Sequence, residues 1–141
     1  MIRKLVLVPP LALSLAACGG ATGPGAAGDV RPRVVATTTI VADLVRSVAG
    51  DRIVVGQLMG PGIDPHLYKP SAGDVRRLAS ARAIFYSGLH LEGRMGELFE
   101  EMGRRGTPTI AVAECVPADR LIESEGFSGV HDPHVWFDVG L

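Results

Sequence analysis

From Arg33 onward, short β-branched apolar runs alternate with stretches in which apolar residues recur three and four positions apart. Val34-Val35-Ala36-Thr37 predicts a first strand, and Ile40, Val41, Leu44, Val45 and Val48 predict an amphipathic helix that stops at Gly50. Residues 52–58 predict a second strand. Ser71 and Asp74 then have the spacing of a capping box at the head of a short helix carrying Val75, Leu78 and Ala79. Ala83-Ile84-Phe85-Tyr86 predicts a third strand. Residues 94–104 predict another helix, with Met95, Leu98, Phe99 and Met102 on one face, and Thr109-Ile110-Ala111-Val112 predicts a fourth strand. This rhythm implies an α/β fold, a parallel sheet flanked by helices on both faces. In such sheets ligands occupy the crevice beyond the carboxyl ends of the strands, which directs attention to the loops after strands two and four. Among Thr37, Thr38 and Thr39, the last immediately precedes the helical periodicity and is expected to cap that helix.

The chain before Arg33 has a different character. Residues 1–17 open with Met-Ile-Arg-Lys, continue through an apolar stretch interrupted by Pro9 and Pro10, and end on Ala16-Ala17. A spanning helix needs about 20 apolar residues, so this segment is expected to be a secretory signal peptide. Leu15-Ala16-Ala17-Cys18 resembles the lipobox of bacterial lipoproteins, in which the cysteine is lipidated and becomes the new N-terminus. Buried acyl chains contribute about 0.8 kcal/mol per CH₂, enough for stable anchoring when one residue carries several. Residues 18–32, rich in Gly and Ala, are expected to form a flexible tether between the lipidated Cys18 and a folded region at 33–141. Cys115 is the only other cysteine, so lipidation of Cys18 leaves it without a disulfide partner; its apolar neighbours suggest the end of a buried strand.

Charge removes one class of partner. With Arg3 and Lys4 lost in the leader, 12 basic residues face 15 acidic ones, a balance of −3. That gives no electrostatic reason for nucleic acid to bind. Two Tyr, four Phe and one Trp are also too few for a base-stacking platform.

The two crevice loops carry the same short signature. Asp64-Pro65-His66-Leu67-Tyr68 follows the second strand and Asp132-Pro133-His134-Val135-Trp136 follows the fourth. Proline fixes its own φ, removes one backbone donor and holds the preceding aspartate extended, so each imidazole is presented from a stiff turn. Neutral imidazole is the commonest side-chain ligand for zinc and also serves manganese. A carboxylate on the second ring nitrogen fixes the tautomer of such a ligand, a supporting role open to Asp64 and Asp132. One such histidine alone is more simply a loop or core residue; the recurrence favours ligation by His66 and His134.

Residues 34–141 resemble the N-terminal lobe of the cluster A-I metal-binding lipoproteins, the solute-binding subunits of zinc and manganese ABC importers. The resemblance rests on Val35-Ala36-Thr37-Thr38-Thr39-Ile40, Asp64-Pro65-His66-Leu67-Tyr68-Lys69-Pro70-Ser71, Tyr86-Ser87-Gly88-Leu89-His90-Leu91-Glu92-Gly93 and Asp132-Pro133-His134-Val135-Trp136-Phe137-Asp138. It implies a two-lobed periplasmic-binding-protein-like fold in which residues matching His66 and His134 bind the metal. The remaining two ligands, a His or Glu and an Asp, are implied to come from a second lobe beyond a linking helix. Nothing in this sequence matches them, so the chain is expected to be truncated before that helix, with weak and poorly selective metal binding of its own. Implied partners are a divalent metal ion, the membrane reached through the lipid anchor, and an ABC permease. The implied location is extracytoplasmic, anchored to the cell membrane.

Other residues have plainer readings. His90 is expected to pack beside Tyr86 or bond within its loop, and Pro133 argues against a local chelate between His131 and His134. Glu97, Glu100 and Glu101 with Arg104 and Arg105 suggest a solvated helix face. A zinc hydrolase is the principal alternative function, but the sequence has no His-Glu-x-x-His helix and no nucleophile elbow, so no enzyme is expected. A surface adhesive lipoprotein with incidental histidines is the other.

Overall fold

Four short strands carry the fold: β1 (Arg33–Ala36), β2 (Val54–Gln57), β3 (Ile84–Tyr86) and β4 (Thr109–Ala111). All pairings are parallel, in the order β2-β1-β3-β4. The structure, a computed structural model, describes residues 29–124 and 129–141. The expected signal peptide at 1–17, the lipidated Cys18 and residues 18–28 of the expected tether lie outside the described residues. Residues 31–141 form one unit.

Side-chain alternation along β1 separates the two faces of the sheet. Val34 and Ala36 point to one side, where α1 (Thr39–Ala49) contributes Val41, Ala42 and Val45, and where Val55 and Phe85 also pack. Val35 points to the other, joining Ile84, Leu58, Met59, Leu78 of α2 (Ala72–Ala79), and Phe99 and Met102 of α3 (Gly96–Arg104). With both faces covered, β1 reads as an unbroken apolar run, as a central parallel strand should. Complete burial of each such side chain stabilises the fold by about 1.5–3 kcal/mol, and Leu78 and Ile84 are wholly inaccessible.

Three expectations need correction. The cap of α1 is Thr38, whose extended backbone lets its hydroxyl accept from the Val41 amide at 3.2 Å; Thr39 is already helical. The second strand is shorter than 52–58, because a 3₁₀ turn at Gly50–Arg52 uses its first residue. The fourth strand ends at Ala111, and the chain enters a 3₁₀ turn, Val112–Cys115. That turn replaces the strand's two-residue period with three, placing Ala113 inside and leaving Cys115 exposed rather than buried. The capping box at α2 is present in both directions, from Ser71 to Asp74 and back. On α3, Glu101 pairs with Arg104 (2.8 Å) and Arg105 (2.6 Å) on an outward face, as expected.

The chain passes from β1 outward to β2, then returns across β1 to β3 and on to β4. Strand order therefore reverses between β1 and β3, the place where open α/β sheets form a crevice at their carboxyl ends.

Candidate metal centre

Beyond those carboxyl ends lie Thr37–Thr39, the loop at residues 58–71, the turn after β3 and the segment following β4. Both Asp-Pro-His sequences fold into the same local turn. Asp64 Oδ1 accepts from the His66 amide at 2.9 Å, and Asp132 Oδ1 accepts from the His134 amide at 2.9 Å. The intervening proline has no N–H, so the aspartate reaches past it to the next donor and closes an Asx turn.

The two turns bring their histidines together although 68 residues separate them: Nε2 of His66 lies 3.4 Å from Nε2 of His134. The rings are tilted by 55°, with centroids 5.4 Å apart. Trp136 stands edge-on to His134 at 5.2 Å and restricts its ring on another side. The supporting aspartates differ. Asp132 Oδ1 also lies 2.6 Å from His134 Nδ1, a contact that favours the neutral tautomer with the proton on Nδ1 and the lone pair on Nε2. Asp64 bonds the His66 amide alone in this arrangement. The His134 amide, then its ring, holds the Asp132 carboxyl below the usual aspartate range, outweighing a small opposing effect of burial.

Among the described residues, no group of three or more His, Cys, Asp or Glu is arranged to hold a metal ion. The histidine pair is a two-donor feature. His131 lies instead in an antiparallel bridge opposite Glu123. His90 is exposed in a left-handed turn with Leu89, at φ 65° and 48°, lining the same cavity as Tyr86.

Glu92, which the Tyr86–Gly93 segment contains without a role of its own, anchors the base of the crevice. Its side chain is 3% exposed, and its Oε1 accepts from the Thr37 hydroxyl (2.6 Å) and the Ser87 amide (2.8 Å), while Oε2 accepts from the Gly88 amide (3.3 Å). These bonds lash the carboxyl end of β1 to that of β3 across the switch point. A signal was present in Gly88 followed by Leu-His-Leu-Glu: a glycine at φ 91° starts a tight turn that carries the glutamate back under the strand ends.

Comparison with known families matches residues 34–141 to ZnuA, the periplasmic component A of the zinc-uptake complex. The chain belongs to this family. Similar relatives include the manganese-binding lipoprotein MntA of Bacillus subtilis, 43% identical over 91% of this chain and 41% of MntA. The zinc-binding protein TroA of Treponema pallidum is 46% identical over 82% of this chain and 37% of TroA. The solved structure of periplasmic TroA superposes with a TM-score of 0.72 and 44% identity, covering 78% of this chain and 39% of that one. The chain thus spans about two fifths of the length of these family members (41% and 37%).

Proposed function

We propose that His66 and His134 are two ligands of one divalent metal ion, zinc or manganese, which the full protein captures outside the cytoplasm for an ABC permease. The observation that carries this reading is the 3.4 Å separation of the two Nε2 atoms. Two nitrogens each about 2.0–2.1 Å from one zinc ion and subtending a tetrahedral angle stand about 3.3–3.4 Å apart. The pair therefore supports a shared ion without rearrangement of either loop. Asp132 on Nδ1 gives His134 the tautomer and orientation that ligation requires, and Asp64 fixes the backbone from which His66 projects.

Binding rather than catalysis fits this arrangement and the family. A closed tetrahedral shell takes four donors, so two further groups from outside the pair complete it, desolvate the ion and hold it as cargo until the permease receives it. One relative is named for manganese and another for zinc, and two imidazoles suit either. Selection between them then rests on the geometry of the completed shell rather than on raw affinity. Lipidation at Cys18, with residues 18–32 as tether, would keep the binding unit at the extracytoplasmic face of the membrane, beside the permease.

The test is calorimetric titration of zinc and manganese into the chain and into its His66→Ala/His134→Ala double variant. We expect one metal per chain and a loss of at least about tenfold in affinity in the double variant. Equal affinity in the two proteins would show that the ion binds elsewhere.

A further inference from the structure

The loop bearing His66 is fastened at both ends to two side chains of α2. At its start, Arg77 Nη2 donates to the carbonyl oxygen of Gln57, the last residue of β2, at 2.7 Å. At its end, the Tyr68 hydroxyl donates to Asp74 Oδ2 at 2.8 Å, the same oxygen that accepts from the Ser71 amide (2.9 Å) and hydroxyl (2.7 Å). Arg77 Nη1 and Asp74 Oδ1, 3.4 Å apart, join the two fastenings. Tyr68 also packs its ring against the core cluster containing Leu78 and Phe99, and the Asp74 side chain is only 13% exposed.

Capping α2 requires Ser71 and Asp74 but neither Tyr68 nor a bond from Arg77 back to β2, so the network exceeds what the helix needs. The loop between the fastenings includes Pro61 and Pro65, which have no amide N–H to donate, and the conformationally permissive Gly60 and Gly62. The Leu58 and Met59 amides bond the Ala36 and Thr37 carbonyls at 2.9 and 2.8 Å, and beyond them the loop's internal bonds are Ile63 to Gly60 (3.3 Å) and His66 to Asp64 (2.9 Å), both local. Where His66 stands relative to His134 is consequently fixed from the loop's base, and Tyr68 is only two residues from the imidazole. We propose that Tyr68, Asp74 and Arg77 are positioning residues: α2 clamps the loop so that His66 meets His134 at the separation one metal ion spans, and metal affinity is tuned from this clamp. This rests on the reading of His66 as a ligand.

Tyr68→Phe isolates the effect, because it keeps the ring in the core and removes only the hydroxyl. In the metal-free chain, amide hydrogen exchange across residues 62–68 should rise while that of β1 and β3 stays unchanged. Zinc affinity should fall about tenfold, toward the lower end of the range for groups that support a ligand from behind. In a His66→Ala background the same substitution should have no further effect. Arg77→Ala, at a half-exposed position, removes the bond to Gln57 while the Leu58 and Met59 amides still hold the loop's start to β1; it should act in the same direction, more weakly, and serves should Tyr68→Phe fold poorly. Three results would overturn the proposal. Unchanged zinc affinity in both variants while His66→Ala weakens binding would refute the clamp and leave the ligand assignment standing. An equal loss with and without His66 would show a general destabilisation. No effect of His66→Ala itself would remove the ligand on which the clamp is argued to act.

Discussion

Replacing Glu92 tests whether the switch point is held by one buried carboxylate. In Glu92→Ala, the Thr37 hydroxyl and the Ser87 amide lose acceptors at 2.6 and 2.8 Å, and both residues are at most 3% exposed. A buried donor left unsatisfied costs about 1–3 kcal/mol, so the two together cost about 2–6 kcal/mol, before any void left by the side chain. Against a typical domain stability of about 5–15 kcal/mol, that is a large fraction. Glu92→Gln retains one oxygen for Thr37 and Ser87 but turns an NH₂ toward the Gly88 amide, opposing donor to donor, and should cost about 1–2 kcal/mol. Equilibrium urea unfolding of the three proteins measures these differences, and combining each with Thr37→Val gives the coupling between the two side chains. We expect the order wild type, Gln, Ala and a coupling of about 1 kcal/mol or more. An alanine variant within about 0.5 kcal/mol of wild type would show that the donors find other partners and that Glu92 does not hold the switch point.

Two more predictions concern Gly88 and Asp74. Gly88 has φ 91° and a Cβ built on it would stand 3.0 Å from the Ala111 Cβ, so Gly88→Ala should destabilise the chain by about 1–3 kcal/mol in a thermal or urea melt, whereas Gly93→Ala, with open space around it, should not approach that figure. Burial pushes the Asp74 carboxyl up, yet the Ser71 hydroxyl and amide, the Tyr68 hydroxyl and Arg77 together hold it below its ordinary value of 3.8. A depressed folded value means that its contribution is present above the unfolded value of about 4 and is lost as pH falls through the folded one. Urea midpoints measured from pH 6 down to pH 2 should accordingly drop more steeply for the wild type than for Asp74→Asn, and parallel curves would contradict this.

Much of the fold was legible because the physics that forms it is local. Strands β1 and β3 follow from β-branched and aromatic runs, α1 from its 3.6-residue period, and the head of α2 from the Ser71–Asp74 spacing. Errors arose where the competing conformations are nearly equal in the sequence. Thr38 and Thr39 both suit a cap, and the extended backbone of Thr38 decides between them. Val112 to Cys115 is apolar enough for a strand, but three-residue periodicity there turns Cys115 outward. At the candidate site, the repeated Asp-Pro-His motif directed attention to His66 and His134, while their 3.4 Å approach is a tertiary fact. Glu92 was the least legible, because its donors come from Thr37 and from a turn defined by backbone φ values rather than by residue type. The difference between Asp64 and Asp132 was likewise invisible in two identical tripeptides, since only the ring rotation of His134 brings Nδ1 to its aspartate.

If the two Asp-Pro-His turns hold one metal ion between them, ¹⁵N NMR of the histidine rings will register both at once. With one equivalent of zinc added to the chain, the Nε2 resonances of His66 and His134 should move together to the metal-bound position, Nδ1 of His134 should remain protonated against Asp132, and His90 and His131 should stay where they were. Movement of only one of the pair, or of His90 or His131 in their place, would show that His66 and His134 do not share the ion.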